Sequence, residues 1–281
     1  MPNDMTPPKP AAQKRITCVL EVVTSRYVTP NMIRVTLKGA EMADIPASIA
    51  GGHCKIMVPA VGQTAEDLGR QMADGPKPTT RTYTIRHARP EACEIDIDFV
   101  AHGDTTADGG PASAWAAHAK PGDFLGFAGP GQPKLTDMGA DFYLIAADMS
   151  ALPVAAAGLE ALPKDAKGIA FFEVLSEADR QPIDAPEGIA QHWLIHDDAE
   201  VEATQAVDRI KALTLPKGRI KTLVAGETGV IRKLRLHLRG DRALPRGDVY
   251  ASGYWRIGLA EDEHQKVKNA EAAEDEAKLA R

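Results

Sequence analysis

Residues 81–86 read Arg81-Thr82-Tyr83-Thr84-Ile85-Arg86 and close a β-rich stretch of the chain. An Arg-x-Tyr-Thr tetrad on a strand is a set that can hold a flavin. The arginine offers a planar fork to a phosphate, the tyrosine ring can lie flat on an isoalloxazine, and the threonine hydroxyl can reach the N5 edge. The same four residues also suit a plain alternating strand with Tyr83 half-buried. Later segments of the chain strengthen the flavin reading.

Downstream, Gly110-Pro111-Ala112-Ser113 leads into Ala114-Trp115-Ala116-Ala117-His118, a helix opening with proline in its first turn. Glycine lets the backbone come close to a ligand, and the free N–H groups of a first turn, with the Ser113 hydroxyl beside them, can bind a pyrophosphate. Taken alone this is also an ordinary helix start. With the tetrad before it and Gly122-Asp123-Phe124-Leu125-Gly126-Phe127-Ala128-Gly129-Pro130 after it, the order resembles the flavin half of the ferredoxin-reductase architecture.

Outward from the tetrad, short alternating apolar runs at 16–23, 32–37, 54–58, 93–100 and 124–127 predict an antiparallel Greek-key β-barrel over 15–135. The polar insert 62–78 reads as a mobile excursion. From 140 to 257 the texture changes to a βαβ alternation, with strands at 142–147, 168–175, 192–195, 219–225 and 249–252 and helices at 151–162, 201–213 and 231–238. Continuous apolar strands between helices predict a parallel α/β sheet covered on both faces, with ligands at the strands' carboxyl ends. No Gly-x-Gly-x-x-Gly follows its first strand, so the usual dinucleotide fingerprint is absent. The alanine- and charge-rich segment 258–281 predicts a C-terminal helix, either solvated or a docking surface for an electron-carrier protein.

These segments together resemble the siderophore-interacting proteins, flavin-dependent ferric-siderophore reductases. The match runs over roughly residues 15 to 265: His53-Cys54-Lys55-Ile56, Arg81 to Arg86, Asp96-Ile97-Asp98-Phe99-Val100-Ala101-His102-Gly103, Gly110 to Ala116, Gly122 to Pro130, Ala146 to Pro153, Ala225-Gly226-Glu227, Gly253-Tyr254-Trp255-Arg256 and Ala260-Glu261-Asp262. The resemblance implies FAD contacts at Arg81, Tyr83, Thr84, Asp98, Val100, His102, Gly110, Ala112, Ser113 and Trp115. It implies NADH or NADPH docking at Asp148, Ser150, Ala151, Gly226 and Glu227, with Tyr254 or Trp255 shielding the flavin. Each of these polar loop residues also suits a turn or a helix cap, and His102 also suits a structural role. Lys55 matches a family lysine facing the substrate groove, where it would attract an anionic ferric chelate. A solvated lysine on a barrel face is the plainer account. After Gly129-Pro130 many members carry an arginine, whereas this chain has Gly131-Gln132-Pro133-Lys134, so Lys134 is the candidate substitute. Arg256 can serve the substrate or a nucleotide phosphate.

Composition sets the remaining bounds. The 281 residues, 44% of them apolar, suit two medium domains or one large one. A formal net charge of −6 speaks against a nucleic-acid footprint over the whole surface. Cys18, Cys54 and Cys93 are odd in number and widely separated, which supports neither a disulfide framework nor a metal or iron–sulfur site. Residues 1–14 lack a signal peptide's apolar run, and no stretch approaches the ~18 apolar residues of a membrane span. The expectation is a cytoplasmic monomer with a loose N-terminus, no membrane partner and no metal. No nucleophile–base set is evident for hydrolysis. Flavin accepts hydride and passes electrons singly to Fe(III), so the expected activity is release of siderophore iron as Fe(II) at the expense of NAD(P)H. The rivals are a general flavin reductase serving quinones or an electron-carrier protein such as ferredoxin, and a non-enzymatic siderophore carrier. Arg180 is the only basic residue near the second parallel strand, so NADH should serve at least as well as NADPH.

Overall fold

The structure is a computed structural model that describes residues 15–101, 110–136 and 138–259, with positions 264, 267, 270, 271, 274 and 275 beyond them. Six strands, β1 (Ile16–Thr29), β2 (Met32–Lys38), β3 (His53–Met57), β4 (Thr80–Arg89), β5 (Glu94–Val100) and β6 (Phe124–Gly129), close an antiparallel barrel in the order β1-β2-β5-β4-β3-β6. The alternating runs dictate this. Every second side chain points inward, so Leu20, Val35, Leu37, Ile56, Ile85, Ile97 and Phe127 all reach 0% exposure in one core. Closure leaves no strand edge for another chain to extend.

The insert between β3 and β4 is not a loose excursion. It carries helix α1 (Ala65–Asp74), opened by a reciprocal cap in which Thr64 Oγ1 accepts from Asp67 N (3.1 Å) and Thr64 N donates to Asp67 Oδ2 (3.2 Å). Leu68 pins the helix to the barrel at 0% exposure. The cap and the single buried leucine outweigh the polar composition on which the mobile reading rested.

A second layer follows: β7 (Phe142–Ala147), α3 (Leu152–Glu160), β8 (Gly168–Val174), β9 (Ile189–Ile195), α4 (Gln205–Ala212), β10 (Ile220–Glu227), α5 (Thr228–Leu236) and β11 (Val249–Trp255). The strands pair in parallel, in the order β11-β10-β7-β8-β9. Apolar clusters cover both faces, one under α3 and one under α4 and α5, as continuous apolar strands require. Helix α5 starts directly at the end of β10, three residues before the predicted start, because Glu227 caps it by accepting from Val230 N (2.9 Å).

Two polar seams fix the layers to each other. Arg86, 5% exposed on β4, forks onto Glu160 of α3 through two 2.6 Å bonds. Asp179, 0% exposed, accepts from Asn31 N (2.9 Å), Asn31 Nδ2 (2.8 Å) and Ser176 Oγ (2.7 Å). Beyond Leu259 the described positions are helical, and they dock on α5, where Asp275 (0% exposed) receives Arg232 and Arg235. A wholly solvated terminal helix is therefore not what forms.

Candidate functional site

Strand β4 carries the tetrad along one side of the barrel. Tyr83 packs on Phe99 with ring centroids 4.5 Å apart, and Phe99 packs on Trp115 at 5.9 Å. This aromatic run joins the tetrad to α2 (Pro111–His118), so the two segments that sequence pairs as a flavin site meet through the barrel core. Gly110 precedes α2 at φ 77°, a left-handed conformation that favours glycine. The first intrahelical bond comes only at Ala114 N, which donates to Gly110 O (3.2 Å), and the Ala112 and Ser113 amides precede it. These are the donors that can take a pyrophosphate.

Some expected contacts are already committed inside the fold. Ser113 Oγ donates to Val100 O (2.8 Å), tying α2 to the end of β5. Asp98, 5% exposed, is held by Arg34 through two 2.7 Å bonds, so its carboxylate serves the barrel wall. Arg81 Nη1 donates to Thr80 O (3.0 Å). His102 lies outside the described residues.

On the opposite face of the β3–β4 ladder, His53 pairs with Thr84 and Lys55 with Thr82. Lys55 Nζ donates to Thr82 Oγ1. Lys134 reaches across from the segment after β6, with its Nζ 3.2 Å from His53 Nδ1 and 5.9 Å above the Tyr250 ring. Burial lowers the Lys134 ammonium. Burial, and then the charges of Lys134, Lys55 and Arg15, hold His53 below the usual imidazole range. A neutral His53 can therefore accept from Lys134. The structure thus brings Lys55 and Lys134 onto one surface through a histidine that the sequence motif contains but does not single out. Arg256 is elsewhere engaged: its Nη1 donates to Glu271 (2.6 Å) on the docked C-terminal segment.

The parallel sheet reverses strand order between β7 and β10, and the crevice at their carboxyl ends is where such sheets bind ligands. There Asp148 takes five donors. Oδ1 accepts from Ser150 N (2.9 Å), Ser150 Oγ (2.6 Å) and Ala151 N (3.2 Å), and Oδ2 accepts from Glu227 N (2.8 Å) and Trp255 Nε1 (2.7 Å). Gly226, at φ 144°, admits this contact, since a Cβ there would lie 2.4 Å from Asp148 Oδ2. Asp148, Ser150, Ala151, Gly226, Glu227 and Trp255 are thus one knot that joins the ends of β7, β10 and β11. Burial raises the Asp148 carboxyl against these hydrogen bonds. Tyr254 hydrogen-bonds weakly to Tyr250 (OH to OH, 3.4 Å), and its phenol is pushed up by burial. Glu173 on β8 was missed by sequence reasoning. Burial, then the charge of Asp148, pushes it up to about 7. Its only sequence signal is a lone charge in the apolar run 169–175. Arg180 pairs with Glu177 (2.6 Å) on the surface.

Two family models match the chain: the siderophore-interacting FAD-binding domain over residues 21–134 and the siderophore-interacting protein family over 140–258. The chain is 34% identical over 260 residues to the ferric vibriobactin reductase ViuB of Vibrio cholerae, covering 89% of this chain and 93% of that one. It is 28% identical over 249 residues to the NADPH-dependent ferric-chelate reductase of Escherichia coli, covering 84% and 91%. Among solved structures it is similar to the siderophore-interacting protein SipS of Aeromonas hydrophila, with a TM-score of 0.79, 35% identity, and 90% and 97% of the two chains covered.

Proposed function

The chain belongs to the siderophore-interacting protein family, and on that premise we propose that it is an FAD-dependent ferric-siderophore reductase that takes electrons from NADH or NADPH. The observation that carries this reading is the convergence on β4. The tetrad and the α2 opening are joined by the Tyr83–Phe99–Trp115 run, and Lys55 and Lys134, with a neutral His53 between them, lie on the other face of the same ladder.

Residues fit FAD residue by residue. Arg81 and the amides of Ala112 and Ser113 would hold the pyrophosphate, Gly110 would let it approach, and Tyr83 would face the ring, with Thr84, which shares the ladder face of His53 and Lys55, meeting it only at the edge. Val100 and Trp115 would shape the pocket floor. Bound there, FAD supplies conversion of a hydride into single electrons that Fe(III) can accept. The protein's own contribution is placement. Lys55 and Lys134 give the groove the positive charge that draws an anionic ferric chelate against the flavin edge. Asp148 holds the crevice closed around its own loops and fixes the Trp255 indole, so Trp255 rather than Tyr254 is the ring anchored to shield the flavin. Arg256 would reach substrate only on release from Glu271. The domain division at 135–140 accords with the break between the two family matches. A cytoplasmic setting, which the three free cysteines favour, and a monomeric state remain parts of this proposal.

Purified protein should be yellow, carry one FAD per chain, and under anaerobic NADH or NADPH convert a ferric siderophore to Fe(II) trapped by a ferrous chelator. Colourless protein that FAD does not reconstitute would overturn the assignment. Flavin that neither nicotinamide reduces, but a reduced ferredoxin does, would favour the electron-carrier route through the docked C-terminal segment.

A further inference from the structure

The groove face of the β3–β4 ladder holds a contact whose two members both titrate. His53 Nδ1 lies 3.2 Å from Lys134 Nζ; His53 is exposed, and Lys134 is half-buried beside the Tyr250 ring of β11. The backbone fixes the imidazole in place. Gly131 N donates to His53 O (2.7 Å), and a Cβ at position 131 would lie 1.8 Å from His53 Cε1, so a glycine leaves the ring its room. Across the ladder His53 faces Thr84, which carries no charge. Among the described residues the charges acting on His53 are all cationic: Lys134 from the segment after β6, Lys55 from β3 itself and Arg15 ahead of β1. Burial first, then these charges, keeps the imidazole neutral. Burial also lowers the Lys134 ammonium, which makes its proton easier to give up. An anion arriving among these groups reverses the balance on His53, because an opposite charge within ~4–6 Å favours the protonated ring.

We propose that Lys134 is the acid that protonates a ligand oxygen of the ferric chelate as the iron is reduced, and that His53 restores its proton, a proposal that rests on the reductase reading above. Metals bind deprotonated ligands, so letting a metal go takes up protons. The step balances on one proton. The anionic chelate enters beside Lys134, and neutral His53 takes a proton from the solvent to which it is open. When the iron accepts the electron that the reductase activity supplies, an iron–oxygen bond breaks and its electron pair stays on oxygen. That oxygen takes a proton from Lys134 Nζ, and the neutral amine recovers one from His53 Nδ1. Imidazole ends neutral, ammonium ends charged, and the ligand carries an O–H where it held iron. An arginine in place of Lys134 would attract the chelate without this step, since a guanidinium does not give up a proton near neutrality.

Two variants and two acceptors test this on the flavin-loaded protein. Lys134→Arg keeps the charge and loses the transferable proton. His53→Asn keeps an acceptor for Lys134 and does not titrate. Calorimetry of the oxidised protein with a ferric tris-catecholamide, in buffers of different ionisation heat, should show proton uptake on binding by the wild type and none by His53→Asn. After anaerobic reduction, flavin reoxidation is timed with that chelate and with ferricyanide, which takes an electron, breaks no ligand bond and takes no proton. The ratio of chelate rate to ferricyanide rate should fall roughly tenfold or more in Lys134→Arg, since a positioned acid contributes ~100-fold or above and water can replace part of it. In the wild type this ratio should fall as pH rises, and His53→Asn should flatten the slope. A Lys134→Arg ratio equal to that of the wild type, a wild-type ratio flat in pH, or proton uptake that is absent or survives His53→Asn would overturn the proposal and leave Lys134 as an attracting charge. Reduced wild type that passes electrons to ferricyanide and to no ferric siderophore would overturn the reductase reading itself.

Discussion

The barrel face around β4 and the crevice at the ends of β7 and β10 both carry expected cofactor residues, yet they are built differently. On β4 the tetrad is presented by packing beneath it: Tyr83 rests on Phe99, which packs on Trp115, and the Ala112 and Ser113 amides precede the first bond of α2. In the crevice the expected residues are occupied with one another, because Asp148 collects Ser150, Ala151, Glu227 and Trp255. A site assembled from a local motif keeps its helix-opening amides for a ligand, even where Ser113 Oγ and one Arg81 nitrogen are engaged by the backbone. A site assembled from strand ends first spends polar groups on holding those ends together.

The strongest break of that comparison is Asp148→Ala. It strands five donors, three from the loop after β7 and one each from the ends of β10 and β11, and should cost about 3–5 kcal/mol in chemical denaturation. Flavin content of the protein that remains folded should stay near one per chain while its reduction by nicotinamide slows. Parallel loss of flavin would show that the two regions do not act separately.

Next in size is Arg81→Ala, which removes a charge-assisted phosphate contact worth about 1.5–3 kcal/mol. The FAD dissociation constant should rise tenfold or more, with the melting temperature of the apoprotein unchanged. Tyr83→Ala should cost less, about 0.5–1.5 kcal/mol for a lost ring contact. A reversed order would place the arginine in the barrel wall.

Glu173 sharpens the crevice side. Its carboxyl, ordinarily at 4.5, titrates at about 7 in the fold. Between those values the folded protein holds a proton that the unfolded chain has released, so stability falls as pH rises through that window. Glu173→Gln should flatten the slope and stabilise the protein by ~1–2 kcal/mol at pH 8. Stability curves that stay superimposed from pH 4.5 to 8 would remove Glu173 from the crevice's charge balance.

The smallest expected effect is at the groove. Lys55→Ala should raise the concentration of anionic ferric siderophore needed for half-maximal reoxidation of reduced flavin a few-fold, without slowing hydride transfer. The defect should fade as salt rises, since an exposed lysine acts through a screened field. An equal, salt-insensitive loss with a neutral acceptor would make Lys55 a structural residue held by Thr82.

Much of this protein was legible in the chain alone. Alternation at period two fixed the six barrel strands, and apolar runs between helices fixed the parallel sheet, because those patterns depend on neighbours a few residues away. The tetrad and the Gly110–Ser113 opening were legible for the same reason. The insert 62–78 was misread because composition hid the Thr64–Asp67 cap and the one buried leucine, Leu68. Tertiary structure alone decided which polar groups are already satisfied. Trp255 meets Asp148 across 107 residues, Lys134 meets His53 across 81, and Arg34 meets Asp98 across 64. Sequence names the donors and acceptors, but whether a buried group has a partner depends on residues that only folding brings within hydrogen-bonding distance, and each buried group left unpaired costs about 1–3 kcal/mol.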